Sequence, residues 1–182
     1  MPAGEAPITD QHAENPFAAG DVLNILREHG WLAGEPSPPQ LAWCERSAAI
    51  LGVHVADRKG LEYLLSLIFH YDPREILERV DAHIVMSRFA ARNVVRQLAL
   101  LLLEGTPLTS ERFSEIIGAL KQKLEVRGRE LFHPVRLALT GRAGEGELDR
   151  VILLLDEAAA LRFAVPVKSA RERILEFCAA LD

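Results

Sequence analysis

The stretch LEYLLSLIF, from Leu61 to Phe69, carries the signal that decides the fold class. Its apolar residues stand at positions 61, 64, 65, 68 and 69, which is the spacing of one face of an amphipathic α-helix. No part of the chain shows a sustained two-residue alternation rich in β-branched residues, as a strand would. We therefore expect an all-α protein with about nine or ten short helices.

The same helical spacing recurs at three later places, and we expect these residues to face the core. The stripes are Ile84, Val85, Phe89, Val94, Val95, Leu98 and Leu102; then Phe113, Ile116, Ile117, Leu120 and Leu124; then Val151, Leu154, Leu155, Ile174, Leu175, Phe177 and Leu181.

Helix starts are marked by residues that favour the first turn of a helix. Asn15-Pro16 and Asp72-Pro73 each place a capping residue before a proline at the first helical position. Ser169 and Glu172 have the spacing of a capping box. We expect helices to begin at all three places.

Two composition changes suggest how the chain is divided. Three prolines within residues 34–39 favour an extended linker. Residues 1–14 are polar and show no period, so we expect a disordered N-terminal tail. A Gly-Thr-Pro sequence at 105–107 marks a second boundary, which predicts an N-terminal helical subdomain over 15–105 and a C-terminal one over 106–182.

Composition excludes several classes of protein. The chain has 182 residues and a net charge of -5, which rules out a uniformly basic nucleic-acid-binding domain. Its two cysteines, Cys44 and Cys178, exclude a disulfide scaffold and a zinc finger, and we expect both to be buried thiols. The six histidines show no metal-binding spacing, so we expect neither metal nor cofactor.

The sequence also predicts a soluble, cytoplasmic protein. The longest apolar run, Leu98–Leu103, is far shorter than the roughly 20 residues that a membrane span needs. The first residues lack the basic and apolar parts of a secretory signal.

Charge is distributed unevenly. Residues 121–142 carry six basic and two acidic residues, a local charge of +4 within an otherwise acidic chain. Such a surface can attract phosphates, because screening limits the reach of distant charges to about 8–10 Å. The alternative is a solvated helix end whose cations are favoured by the helix dipole. The basic residues are Lys121, Lys123, Arg127, Arg129, Arg136 and Arg142.

The same stretch, GRELFHPVRLALTG from Gly128 to Gly141, resembles the C-terminal anticodon-binding region of bacterial glutamyl-tRNA synthetases, which are class I enzymes. Members of that family carry Gly-Lys-x-Leu, Pro-Leu-Arg-x-Ala-Leu-Thr-Gly and Gly-Pro-Glu-Leu in this order. The resemblance covers residues 57–180. Matching residues are Lys121, Gly128, Leu131, Pro134, Arg136, Ala138, Leu139, Thr140, Gly141, Glu147 and Leu148.

The resemblance implies a compact helical cage of two subdomains that binds a tRNA-Glu-like molecule. Arg136 would face the tRNA and Leu148 would pack on a base. Lys121, Lys123, Arg127, Arg129 and Arg142 would contact phosphates. The His-x-Gly-His motif and the Lys-Met-Ser-Lys-Ser loop of class I synthetases do not occur in the sequence. We therefore expect the free-standing anticodon-binding part, non-catalytic by itself, with a separate synthetase or another protein as its partner.

Each implied contact has a structural alternative. Arg136 can instead be a core-edge residue paired with a carboxylate, and Leu148 can be plain core. Thr140-Gly141 is expected to close a helix rather than to bind a ligand.

Two departures from the family pattern, Glu145-Gly146 and Leu155-Asp156, place acidic residues where they would repel phosphates. Two other functions therefore stay open: a helical protein-interaction module that has lost RNA binding, and a subunit of a split glutamyl-tRNA ligase.

Overall fold

The computed structural model describes residues 15–104 and 106–182, so the expected tail at 1–14 lies outside the described residues. Within that part the protein is all-α, as predicted, with eleven helices and no strand. The helices are α1 Ala19–Glu28, α2 Pro38–Gly52, α3 Arg58–Phe69, α4 Pro73–Glu78, α5 Val80–Met86, α6 Ala91–Leu102, α7 Ser110–Leu124, α8 Arg129–Thr140, α9 Glu147–Ile152, α10 Leu155–Ala160 and α11 Ala170–Leu181.

The helix count exceeds the expected nine or ten because some helical stretches are interrupted. Arg79, in extended conformation with ψ of 147°, separates α4 from α5. Leu153 and Leu154 lie between α9 and α10. Both interruptions leave the apolar spacing intact, so periodicity alone did not show them.

Capping side chains mark the starts of five of the eleven helices in the described residues, namely α2, α3, α4, α7 and α11. Ser169 accepts a hydrogen bond from the backbone N–H of Glu172, which confirms the predicted cap of α11. Asp72 likewise accepts from the N–H of Arg74 at the start of α4. Each cap satisfies one of the N–H groups that a helix start leaves without a partner.

Two predictions about the N-terminal part are wrong. No helix begins at Asn15-Pro16, because the Asn15 amide donates to the carbonyl of Ala48, 2.7 Å away, and α1 starts only at Ala19. The expected linker over 34–39 is also shorter than predicted. Ser37 caps α2, and Pro38 takes the first helical position, where proline is tolerated.

One connected core joins the described parts of the chain. The indole N–H of Trp43 in α2 donates to the carbonyl of Leu154, 3.2 Å away. Helix α6 packs against both α8 and α11. Helices on the two sides of residue 105 therefore share their apolar contacts, and a division into subdomains at that residue stays a prediction.

Two residues of the predicted apolar stripe that begins at Ile84 do not face the core. Ile84 is 57% exposed, and the Phe89 side chain is fully exposed. Ala82, Val85 and Met86 fill the inner face of α5 instead, and the helix ends before Phe89 is reached. The prediction for these two residues is therefore wrong, and it is also wrong for Leu175 of the last stripe, which is 41% exposed on α11.

Cys44 is fully buried, and burial raises the pKa of its thiol to about 12. Cys178 is only half-buried, so the expectation of two buried thiols holds for Cys44 alone. Among the described residues, no helix has the length and apolar character that crossing a membrane requires.

Candidate nucleic-acid interface

Helix α8 carries the motif residues and is bounded by two glycines. Gly128 precedes it with φ of 61°, and Gly141 ends it with φ of 86°. Glycine adopts these left-handed conformations without steric penalty, so the two residues set the limits of the helix. The position of Gly141 confirms that Thr140-Gly141 closes a helix.

The structure divides the basic segment between the two ends of α8. Lys121 and Lys123 lie in the last turn of α7, Arg127 lies in the connection, and Arg129 begins α8. All four are exposed. Arg142 follows the opposite end of α8, a helix of twelve residues and so about 18 Å long. The four exposed cations at the α7–α8 connection form what we call the basic corner.

Arg136 lies in an internal ion pair. Its guanidinium donates two hydrogen bonds of 2.9 Å to the carboxylate of Asp149 and a third, also 2.9 Å, to the carbonyl of Gly144. The side chain is 9% exposed, and its plane lies 4.7 Å from the ring centre of Phe132. This bidentate geometry neutralises the Arg136 charge and ties α9 to α8. This pairing is the one that the structural alternative predicts, and a contact between Arg136 and tRNA stays a prediction.

Leu148 is also turned inward. Its exposed fraction is 2%, and it packs beneath the loop at Gly144, where an added Cβ would lie only 2.8 Å from Leu148 Cδ1. The side chain contacts protein in this arrangement, so it presents no surface on which a base could pack. Arg136 and Leu148 therefore both make their contacts within the protein, and neither is part of the candidate interface.

Side chains from three elements meet on the outer face of α8. Phe132 and His133 are half-buried there. The Lys121 ammonium from α7 lies 5.7 Å from the ring centre of Phe132. Arg88, from the turn between α5 and α6, donates from Nη1 to Nδ1 of His133 at 2.9 Å. The basic corner is thus extended by Arg88, which stands 45 residues earlier in the chain than His133.

Arg88 was missed by the sequence reasoning. It lies in a segment interpreted as a buried helix face, and no spacing within that segment links it to α8. Only the packing of α5 and α6 against α8 brings it to the basic corner.

His133 is held neutral in this setting. Desolvation lowers the pKa of its imidazole, and the positive charges of Arg88, Arg129 and Arg136 lower it further, while Glu145 opposes them. Because Arg88 donates to Nδ1, that nitrogen is the acceptor and Nε2 carries the proton. An anion bound beside His133 would offset these charges and favour the imidazolium form.

The two acidic departures have different environments. One Asp156 oxygen accepts from the backbone N–H of Leu108 at 2.7 Å, and the other accepts from that of Ala170 at 2.9 Å. Asp156 therefore anchors the segment before α7 to the start of α11, and its charge is compensated by the two N–H groups. Glu145 is exposed and close enough to His133 to affect its pKa. Of the two expected repulsive groups, only Glu145 faces the surface beside α8.

Residues 15–104 and 106–182 contain no group of three or more His, Cys, Asp or Glu side chains arranged to hold a metal ion. The ammonium and guanidinium groups of the basic corner can bind anions.

Comparison with known proteins identifies relatives of one kind. The chain is 38% identical to glutamate–tRNA ligase 2 of Syntrophus aciditrophicus over 77 residues, which is 42% of this chain and 16% of that protein. It is 30% identical to the glutamate–tRNA ligase of Desulforudis audaxviator over 149 residues, 78% of this chain and 28% of that protein. With the enzyme of Exiguobacterium sibiricum, it is 26% identical over 151 residues, 80% of this chain and 29% of that protein.

These matches confirm the predicted resemblance to glutamyl-tRNA synthetases. The chain spans less than a third of the length of the curated relatives it matches. No protein-family model matches the chain. No solved structure matches it either.

Proposed function

We propose that this chain is a cytoplasmic, non-catalytic tRNA-binding module similar to the anticodon-binding region of glutamate–tRNA ligases, and that it acts in trans beside a separate catalytic protein. Two observations support the proposal. The similarity to these ligases extends over as much as 80% of the chain. The part of the chain that the structure describes is all-α.

The observation that carries the proposal is the basic corner. Lys121, Lys123, Arg127 and Arg129 are exposed together at the α7–α8 connection, within a chain of net charge -5. Arg88 joins them through His133. Phosphates of a folded RNA would bind these cations, and the helices on either side would match its shape.

Arg142 provides a second, weaker contact. It lies beyond the far end of α8, close enough to Asp81 to lower the pKa of that carboxyl, although desolvation opposes this shift and Arg79 contributes more to it. Arg79 itself donates to the carbonyl of Gly141. A phosphate at this end would meet two arginines and one carboxylate, so we place the main electrostatic attraction at the basic corner.

A binding assay with total tRNA at 50 and 200 mM salt tests the proposal. Neutralising four phosphate contacts should make the dependence of log Kd on log salt less steep by roughly 3, since each contact contributes about 0.7 to 0.9. The variant is Lys121→Gln, Lys123→Gln, Arg127→Gln and Arg129→Gln combined. A matched control removes the same charge from exposed residues elsewhere: Arg27→Gln, Lys59→Gln, Arg74→Gln and Arg171→Gln.

We expect the first variant to lose tRNA binding at 200 mM salt and the control to retain it. Far-UV circular dichroism of both variants verifies that their helices are intact. The proposal is wrong if the wild-type chain does not bind tRNA at low salt, if its binding does not depend on salt, or if the two variants lose affinity equally.

Two exposed side chains favour a second candidate, a protein-interaction module. Val80 is 75% exposed and Ile84 is 57% exposed, and they stand one helical turn apart on α5. Such a face is available for an apolar contact with another protein, including a catalytic subunit of a split ligase. Failure of tRNA binding at low salt, with the fold intact, would leave this second function as the better account.

A further inference from the structure

Phe89 has no place in the core. Its side chain is fully exposed on the turn that joins α5 to α6, whereas most of the other aromatic residues in the described part are buried or half-buried. Exposing a large aromatic ring to water is unfavourable, because the protein does not gain the free energy that burial of the ring's apolar surface would provide. The ring is therefore available for contact with a binding partner.

The backbone beneath Phe89 is fixed. The Ser87 hydroxyl donates to the carbonyl of Ile84 at 2.9 Å, and the N–H of Arg88 donates to the carbonyl of Val85 at 3.2 Å. On the other side, the N–H of Ala91 donates to the carbonyl of Arg88 at 3.2 Å. The ring is thus presented from a hydrogen-bonded turn, so that binding to it requires little ordering of the chain.

A groove of about 290 Å³ opens beside the ring. The turn and the start of α6 form one wall, and the end of α7 with the start of α8 forms the other. The groove therefore combines an aromatic ring and apolar carbons with carboxylate and amide groups. These polar groups can form hydrogen bonds with the polar edge of a bound ligand. Its walls include Phe89, Ala90, Asn93, Leu124, Glu125 and Glu130.

Three cations adjoin this groove. Arg88 lines it and is held by His133 at 2.9 Å. Arg127 and Arg129 are exposed neighbours of the lining residues Val126 and Glu130. A flat apolar ring next to a guanidinium that is held in place, here that of Arg88, can receive an unpaired nucleotide. The base would stack on the ring and the phosphate would bind the cation.

We propose that Phe89 stacks on one unpaired base of the bound RNA, that Arg88 binds the adjoining phosphate, and that Glu125 and Glu130 select a base bearing an exocyclic amino group. Cytosine, adenine and guanine each offer such an N–H₂ donor to a carboxylate, and uracil does not. The inference rests on the proposed tRNA-binding function and adds the part of the RNA that is recognised.

Fluorescence anisotropy with labelled RNA dodecamers of C, A or U, and with an RNA duplex, tests this site in the full chain. The wild-type protein should bind the C and A oligomers more tightly than the U oligomer or the duplex. Phe89→Leu should weaken binding of C and A by roughly 5- to 100-fold, the range expected for loss of one base–aromatic stack. Phe89→Trp should retain the affinity, and its emission should be quenched when the base stacks on the indole.

Two further variants make the test specific. Ile84→Ala removes a neighbouring exposed apolar side chain and should leave RNA binding unchanged. Glu130→Ala should reduce the preference for C and A over U without loss of binding to U. Both changes are at exposed positions, so the variants should fold normally.

Several results would overturn the inference. If Phe89→Leu binds the oligomers like the wild type while total tRNA still binds with salt dependence, the stacking site is wrong and the proposed function stands. In that case, Phe89 is better explained by a protein contact shared with Ile84. Equal affinity for U, C and A would disprove the base selection, and absence of all tRNA binding would remove both proposals.

Discussion

The guanidinium of Arg173 in α11 lies 4.7 Å from the ring centre of Tyr71, and the Tyr71 hydroxyl in turn donates to the carbonyl of Arg173 at 3.0 Å. Arg173 is fully buried, and its guanidinium donates four hydrogen bonds to backbone carbonyls instead of pairing with a carboxylate. It donates to Leu67 and Ile68 in the last turn of α3, to Leu139 in the last turn of α8, and to Lys168. These helix ends have carbonyls that lack intrahelical partners, so one side chain joins three elements.

Replacing Arg173 with Met should strongly destabilise the fold. Burial lowers the pKa of Arg173 to about 10, so the group is still charged at neutral pH and its hydrogen bonds are charge-assisted. Its removal leaves several buried carbonyls without a donor, at about 1–3 kcal/mol each. We expect a loss of about 3–5 kcal/mol, measured by urea denaturation.

The control for this prediction is Arg171→Met on the same helix, where the side chain is exposed. It should change the free energy of unfolding by less than about 0.5 kcal/mol. A stability of Arg173→Met equal to that of the control would show that the carbonyls find other partners.

The Arg136–Asp149 pair should behave as a structural ion pair rather than as a tRNA contact. Asp149→Ala leaves a largely buried guanidinium without its carboxylate, and we expect a loss of about 2–4 kcal/mol. The double variant Arg136→Met with Asp149→Leu should recover most of this loss, because both charges are removed together. Urea denaturation of the single and double variants measures the difference.

The double variant also tests the role that the resemblance assigns to Arg136. Its tRNA affinity should stay within about twofold of the wild type, because the Asp149 carboxylate already neutralises the arginine. A large loss of affinity in a stably folded double variant would contradict this and would return Arg136 to the interface.

Binding of tRNA at the basic corner should depend on the protonation of His133. In the free protein, desolvation and three arginines hold the pKa of His133 below its ordinary value. A nearby phosphate favours the charged imidazolium, so the pKa rises on binding and a proton is taken up. The affinity should therefore increase as the pH falls through the range between the bound and the free pKa of His133.

The pH dependence is measured with total tRNA at constant salt, in the wild type and in His133→Asn. The substitution keeps a polar side chain beside Arg88 and removes the titrating group. We expect the increase in affinity at low pH to shrink in the variant. An identical pH profile in both proteins would assign the effect to other histidines or to the RNA.

The sequence by itself determined the helical class and several helix ends. Apolar spacing of three and four residues, a capping Ser169 and a left-handed Gly141 are local features, because a helix is formed by residues at most four positions apart. The resemblance carried by Gly128–Gly141 was equally readable, since it needs only the order of residues along the chain.

Only the tertiary structure decided which of the basic residues are available to a ligand. Arg136 is paired inside the protein by a carboxylate 13 residues away, whereas Arg88 reaches the basic corner across 45 residues. Phe89 fits an apolar stripe in the sequence and yet lies outside the core, because α5 ends just before it. Whether a side chain is exposed or paired depends on the residues that pack against it, and these residues stand far apart in the chain. Helical periodicity carries no information about them.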